Sequence, residues 1–286
     1  MSVFAVRQST ARAATAPVNL GTAAAFAVLA GTTVTNTGPT VVTGDLGVSP
    51  GSAVTGFPPG VVIGTIHAAD ATAAQAQLDL TAAYNDAAGR TPTGALPAAI
   101  GGLTFTPGVY NAAAAVGLTG TVTLDAQGDP NAVFIFQVGS ALTTASGSVV
   151  NLINGARSCN VFWQIGSSAT LGTGSSFAGN ILALTSITVT TGVTVDGRTL
   201  ARNGAVTLDT DTITRSPDCA PGPTPSPTNT ANVANNEDED QQAFSHQDNG
   251  TNVNLNQNSD GHTSDITSSY DRLARLPLGR THAFIR

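Results

Sequence analysis

Four histidines and two close pairs of aspartates are the residues of this 286-residue chain whose types and spacing first suggest chemistry. His246, His262 and His282 fall in a polar stretch near the C-terminus, which leaves His67 alone at the start of an expected helix. An isolated His in that place is more often structural than a ligand, and no Ser-His-acid set can be assembled without the tail residues. The chain carries no paired-His zinc motif, no phosphate-binding Gly-Lys loop and no nucleophile elbow, so no metal and no cofactor is expected. Asp209 and Asp211 lie two apart and share a strand face, with Arg198 and Arg202 before them, the kind of set a carbohydrate-active β-helix uses for acid and base work. Asp125 and Asp129 sit beside Gly128 and Pro130, where Asp is more often a turn former than a catalyst. The expectation is therefore no enzyme, with a carbohydrate-active β-helix as a minor alternative.

Composition narrows the elements that could position any site. Only 10% of the residues are charged, all 11 basic residues are Arg, and the net charge is -7. A chain without a basic footprint is not expected to bind nucleic acid or an anionic membrane. Apolar residues reach 41% but aromatics only 5%, with Ala, Val, Thr and Gly dominant, which suits thin stacked layers. No uninterrupted apolar stretch is long enough to span a bilayer. Ala11-Arg12-Ala13-Ala14 resembles a signal-peptidase site without an adequate apolar run before it, so residues 1–16 read as the remnant of a secretion signal or a disordered start. Cys159 and Cys219 form an even set, either two buried thiols or a bridge whose loop of about sixty residues would contribute roughly 4 kcal/mol. A secreted or cell-surface protein favours the bridge.

Along the chain, Val and Thr alternate with Gly, Asn and Pro from Val18 to Ala53, reading as short strands and tight turns. From Thr65 to Gly89 the pattern changes: Ile66, Ala69, Ala73, Ala76, Leu80, Ala83, Tyr84 and Ala87 recur at spacings of three and four, predicting a helix over about 65–89 capped by Thr65. Its length, about 36 Å, equals that of seven or so stacked strands, so the rod can lie along a stack. Strand-like text then resumes to Cys219, and Phe134-Ile135-Phe136-Gln137-Val138-Gly139-Ser140 repeats at an offset of twenty-seven as Val161-Phe162-Trp163-Gln164-Ile165-Gly166-Ser167. Such a period is that of solenoid coils. Thr37-Gly38, Thr119-Gly120, Thr144-Ala145, Thr173-Gly174 and Thr191-Gly192 each read as the same corner of successive coils. A Pro-rich linker is expected at 221–230 and a disordered polar tail at 231–286, leaving a domain of 17–220.

The segments Asn36-Thr37-Gly38-Pro39-Thr40-Val41-Val42-Thr43-Gly44-Asp45-Leu46-Gly47-Val48, Pro107-Gly108-Val109-Tyr110, Asn160-Val161-Phe162-Trp163-Gln164 and Gly197-Arg198-Thr199-Leu200-Ala201-Arg202-Asn203-Gly204-Ala205-Val206-Thr207-Leu208 resemble the ice-binding-protein-like family of secreted microbial proteins. The resemblance covers roughly residues 18–219 and implies a mainly β fold: a right-handed, discontinuous β-solenoid of triangular cross-section with one long helix alongside. It further implies a flat face carrying Thr, a small residue, any residue, then Thr or Asn. Thr37-Gly38-Pro39-Thr40 and Thr191-Gly192-Val193-Thr194 match that pattern in full, and Thr173-Gly174-Ser175-Ser176 in part. Thr119-Gly120-Thr121-Val122 and Thr144-Ala145-Ser146-Gly147 fail at the last position. The ice-contacting residues so implied are Thr37, Thr40, Thr119, Thr121, Thr144, Ser146, Thr173, Ser176, Thr191 and Thr194. The expected partner is an ice surface, met by a monomer; the alternative is a cell-surface or matrix module of the same fold without ice affinity.

Overall fold

In a computed structural model of the chain, residues 15–216 are described. The expected linker and tail, Cys219 and the first fourteen residues lie outside them. Short parallel strands follow one another round three faces, and each strand pairs with its counterpart in the next coil. The first face runs Gly94–Ala95, Gly108–Ala112, Phe134–Val138, Val161–Ile165, the later halves of Ser176–Ala183 and Thr194–Ala201, then Phe26–Ala30, Asp45–Val48 and Ile66–Ala68. A second runs Val116–Leu118, Leu142–Thr144, Ala169–Leu171, Ile187–Val189, Val206–Asp209, Thr33–Thr37 and Ala53–Thr55. The third runs Thr104–Phe105, Thr121–Asp125, Val149–Ile153, the earlier halves of Ser176–Ala183 and Thr194–Ala201, then Thr212–Thr214, Val41–Thr43 and Val61–Ile63.

This solenoid is discontinuous. Its first two coils, residues 26–63, stack beyond the last one, through Val28↔Thr199, Val34↔Val206 and Val41↔Thr212. After Ile66–Ala68 the chain stands at one end of the stack and must reach the other to begin Gly94–Ala95. The helix α1, Ala71–Gly89, makes that journey along the first face. Its nineteen residues span about 28 Å, and the extended residues at either end supply the rest of a stack of nine strands about 38 Å deep.

The expected helix stripe from Ala73 onward is the buried one: Ala73, Ala76, Leu80, Ala83, Tyr84 and Ala87. From Ala76 onward they pack on Phe26, Leu29, Val109, Ile135, Phe162, Leu182 and Leu200, the outward side chains of the first face. Small Ala side chains let the helix backbone approach the sheet closely. The start differs from the expected Thr65. Ile66 and His67 pair with Leu46 and Gly47 as a strand, Ala69 turns the chain with φ +54°, and Asp70 accepts the Ala73 N–H at 2.8 Å as the cap. At the other end, Gln137 donates to the carbonyls of Ala87 and Arg90, each at 2.8 Å, satisfying acceptors the helix cannot use itself.

Inside the tube the twenty-seven-residue repeat is in register, Phe134↔Val161 through Val138↔Ile165. Phe136 and Trp163 stack with ring centres 4.2 Å apart, and Phe105, Tyr110 and Phe177 extend the column. Where the third face bends into the first, Gly179 and Gly197 hold φ of +117° and +148° in paired strands. A Cβ on Gly197 would lie 2.0 Å from the Gly179 carbonyl oxygen, so the bend closes only on glycine.

Candidate ice-contacting face

In Val116–Leu118, Leu142–Thr144, Ala169–Leu171 and Ile187–Val189 the two end residues are buried and the one between turns outward, and in Thr33–Thr37 and Val206–Asp209 outward Thr35 and Thr207 stand between two buried neighbours. Leu142, Ala169, Ile187, Val206 and Val34 are buried in the core, and the residue after each is Thr. Register then aligns those threonines: Gly117↔Thr143, Thr143↔Thr170, Thr170↔Thr188, Thr188↔Thr207, Thr207↔Thr35 and Thr35↔Thr55. Six Thr thus follow one another at about 4.8 Å from coil to coil, a row roughly 24 Å long. A β-branched side chain on a strand has few χ1 options, so each methyl and hydroxyl is held in place by its own backbone. Among these seven strands the only charged residue is Asp209, at the last position of its strand.

None of the six was among the residues expected from the family pattern. The expected residues divide between three places. Thr37, Thr119, Ser146, Thr173 and Thr191 stand exposed along the corner where the second face turns into the third. There the turn is made by Gly38, Gly120, Gly147, Gly174 and Gly192, all with φ between +67° and +80°, and by Thr210 at +58°. The corner pairs come into line through Gly147 N–H to Thr173 O, Gly174 to Thr191 O, Gly192 to Asp209 O and Thr210 to Thr37 O, at 2.9–3.1 Å. Thr121, Ser176 and Thr194 lie on the third face, in the row Thr121–Val149–Ser176–Thr194–Thr212–Val41–Val61, which is broken by Val and flanked by exposed Asp196.

Two expected residues are corrected. Thr40 is 0% exposed and its Oγ1 accepts the Asp211 N–H at 3.0 Å. Thr144 is 3% exposed and its Oγ1 accepts the Gly172 N–H at 2.8 Å. Both join adjacent coils from inside the tube. Thr144-Ala145 is accordingly not a corner; Ser146-Gly147 is, because this coil, like those of Thr173 and Thr191, carries one residue more before its turn.

The residues weighed for carbohydrate chemistry are not gathered. Arg198 is buried at the corner of the third and first faces, donating to Ala24 O and Asn180 Oδ1 at 2.8 Å. Burial lowers its pKa to about 10, which leaves it charged at neutral pH. Arg202 lies over the Tyr84 ring at 4.7 Å, beside the helix, and the corner residue Asp209 and buried Asp211 belong to the opposite side of their coil. Asp125 and Asp129 accept backbone N–H groups from Gln127 and Asn131 at 2.8 Å, as turn formers do. His67 Nδ1 donates to Asp70 Oδ2, 2.7 Å away, next to the helix cap. No helix among the described residues is long and apolar enough to cross a membrane.

The ice-binding-like family model matches residues 28–214. The chain belongs to that family. An ice-binding protein of Nostoc sp. (strain HG1) is 58% identical over 215 residues, covering 74% of this chain and 79% of its own. The crystal structure of an ice binding protein from an Antarctic Biological Consortium shares 49% identity with a TM-score of 0.69, over 74% of this chain and 96% of that one. That of the Antarctic ascomycete Antarctomyces psychrotrophicus shares 43% identity at the same TM-score, over 71% and 100%. The solenoid expected from the family resemblance is thus the fold of this chain.

Proposed function

We propose that the protein adsorbs to ice through its second face and so restrains ice growth or recrystallisation. The in-register row Thr143–Thr170–Thr188–Thr207–Thr35–Thr55 carries the proposal. Ice is a lattice, so a receptor for it needs many equivalent contacts at a fixed spacing. The coil repeat supplies the spacing, the methyls present a weakly apolar surface, and the hydroxyls can hold water by hydrogen bonds. Each contact is weak and the row adds them. Because the rotamers are already fixed, little side-chain entropy is lost on adsorption. The relatives' names and the 58% identity to the Nostoc protein support the same reading.

Further parts of this reading are a secreted or cell-surface monomer with no catalytic activity, and a disulfide between Cys159 and Cys219. Cys159 is buried in the turn Ser158–Asn160, beside the corner of the third and first faces. Ice shaping, thermal hysteresis and recrystallisation inhibition of the full chain test the proposal. Thr170→Tyr and Thr188→Tyr on the second face are expected to lose most of the activity, while Ser176→Tyr and Thr194→Tyr on the third keep it. The opposite result would transfer the site to the third face, and an inactive wild type would leave the structural-module alternative.

A further inference from the structure

We infer that Asp209 sets how far the ice-contacting surface extends round the corner from the second face to the third, an inference that rests on the proposed function above. Asp209 occupies the place in the corner row held by Thr119, Ser146, Thr173, Thr191 and Thr37 in the other coils, in register with Thr37. The residue after it, Thr210, stands where each of those coils has glycine. Thr191 Oγ1 donates to Asp209 Oδ2 at 2.5 Å and Thr210 Oγ1 donates to Oδ1 at 3.1 Å. Each hydroxyl has one proton to give, so both are spent on the carboxylate and offer water only lone pairs.

The side chains of Thr191, Asp209 and Thr210 therefore present acceptors alone, whereas a water in ice both donates and accepts. The carboxylate also carries a full charge, which binds its own hydration water strongly and is costly to place against a neutral lattice. The corner hydroxyls of Thr119 and Ser146 are thereby cut off from that of Thr37, while that of Thr173 gives its proton to Thr190 Oγ1, 3.2 Å away, whose own goes to Leu171 O. The central row of the second face carries the ice contact, and the corner adds to it only on the Thr119 side of Asp209.

Restoring the pattern of the other coils is the test. The double substitution Asp209→Thr, Thr210→Gly in the full chain is expected to raise thermal hysteresis about twofold at equal concentration, through added equivalent contacts. Asp209→Asn, which removes the charge and keeps the residue's size, is expected to give a smaller rise. Melting and circular dichroism establish that each variant folds, and if the double variant does not, the Asn variant decides. Hysteresis unchanged or lowered in folded variants overturns the inference. Thr188→Tyr in the same series separates the two readings. If wild type is active, Thr188→Tyr is not and Asp209 variants bring no gain, the inference alone falls; if wild type is inactive, both fall.

Discussion

Asp211 is 1% exposed, and its two carboxylate oxygens accept backbone N–H groups, from Val193 at 2.9 Å and from Asp209 at 2.7 Å. Burial pushes its pKa up to about 6, outweighing those two bonds, with the nearby Asp209 charge adding to the rise. In the unfolded chain the group titrates near 3.9, so the folded state holds the proton to higher pH. Below about pH 4 both states are protonated and the fold loses nothing. As pH rises from 4 to 6 the unfolded state releases its proton first, and stability falls by on the order of 3 kcal/mol. Asp70, held low mainly by the Ala73 N–H, and Asp79, held low mainly by the Thr22 hydroxyl, act with opposite sign and only below pH 3.8. Melting temperature is therefore expected to drop between pH 4 and 6, and Asp211→Asn to flatten that dependence, as thermal melts at several pH values would show. Sequence exposes the pair Asp209 and Asp211 as neighbours on one strand face, yet Thr210 at φ +58° breaks the strand between them and sends one outward and one inward.

At the scale of elements, α1 is held by apolar contact rather than by charge. Leu80 is wholly buried at its middle, and Leu80→Ala is expected to cost about 3 kcal/mol, read as a lowered denaturant midpoint. Gln137 joins the helix end to the first face, and Gln137→Leu leaves the carbonyls of Ala87 and Arg90 without it. A loss of about 1–2 kcal/mol follows, with earlier hydrogen exchange in the last helical turn than in the first. The helix was legible because Ala and Leu at spacings of three and four have no other use. Its first turn was not: Ile66 and Ala69 fit the helical period, but pairing of Ile66 with Leu46 outweighs it. The second-face row was also in the text, as an apolar residue followed by Thr at Leu142, Ala169, Ile187, Val206 and Val34. The more visible Thr-Gly pairs mark the corners instead, since a turn is punctuated by glycine and a strand is not.

For the whole molecule, most strand pairings join residues eighteen or more apart, and those of Phe26–Thr43 with the last coil join residues about 170 apart. Folding dominated by such distant pairings is expected to be slow, and refolding on the millisecond-to-second scale or beyond would be seen by stopped flow. Removing residues 1–68 strips the two coils that cover Thr194–Ala201, Val206–Asp209 and Thr212–Thr214, baring parallel edges. That fragment is expected to aggregate rather than melt cooperatively, as light scattering during a thermal ramp would show.

The stacking of the opening coils upon the closing one also bears on synthesis. While the ribosome is still reading the codons for residues 198–214, the segment made first has nothing to lie against, and its strands wait with one side bare. Assembly thus completes only when the final coil has emerged. A messenger cut short before that point would yield two unjoined stacks tethered by a helix, which links the soundness of the product to the integrity of the last part of the domain's message.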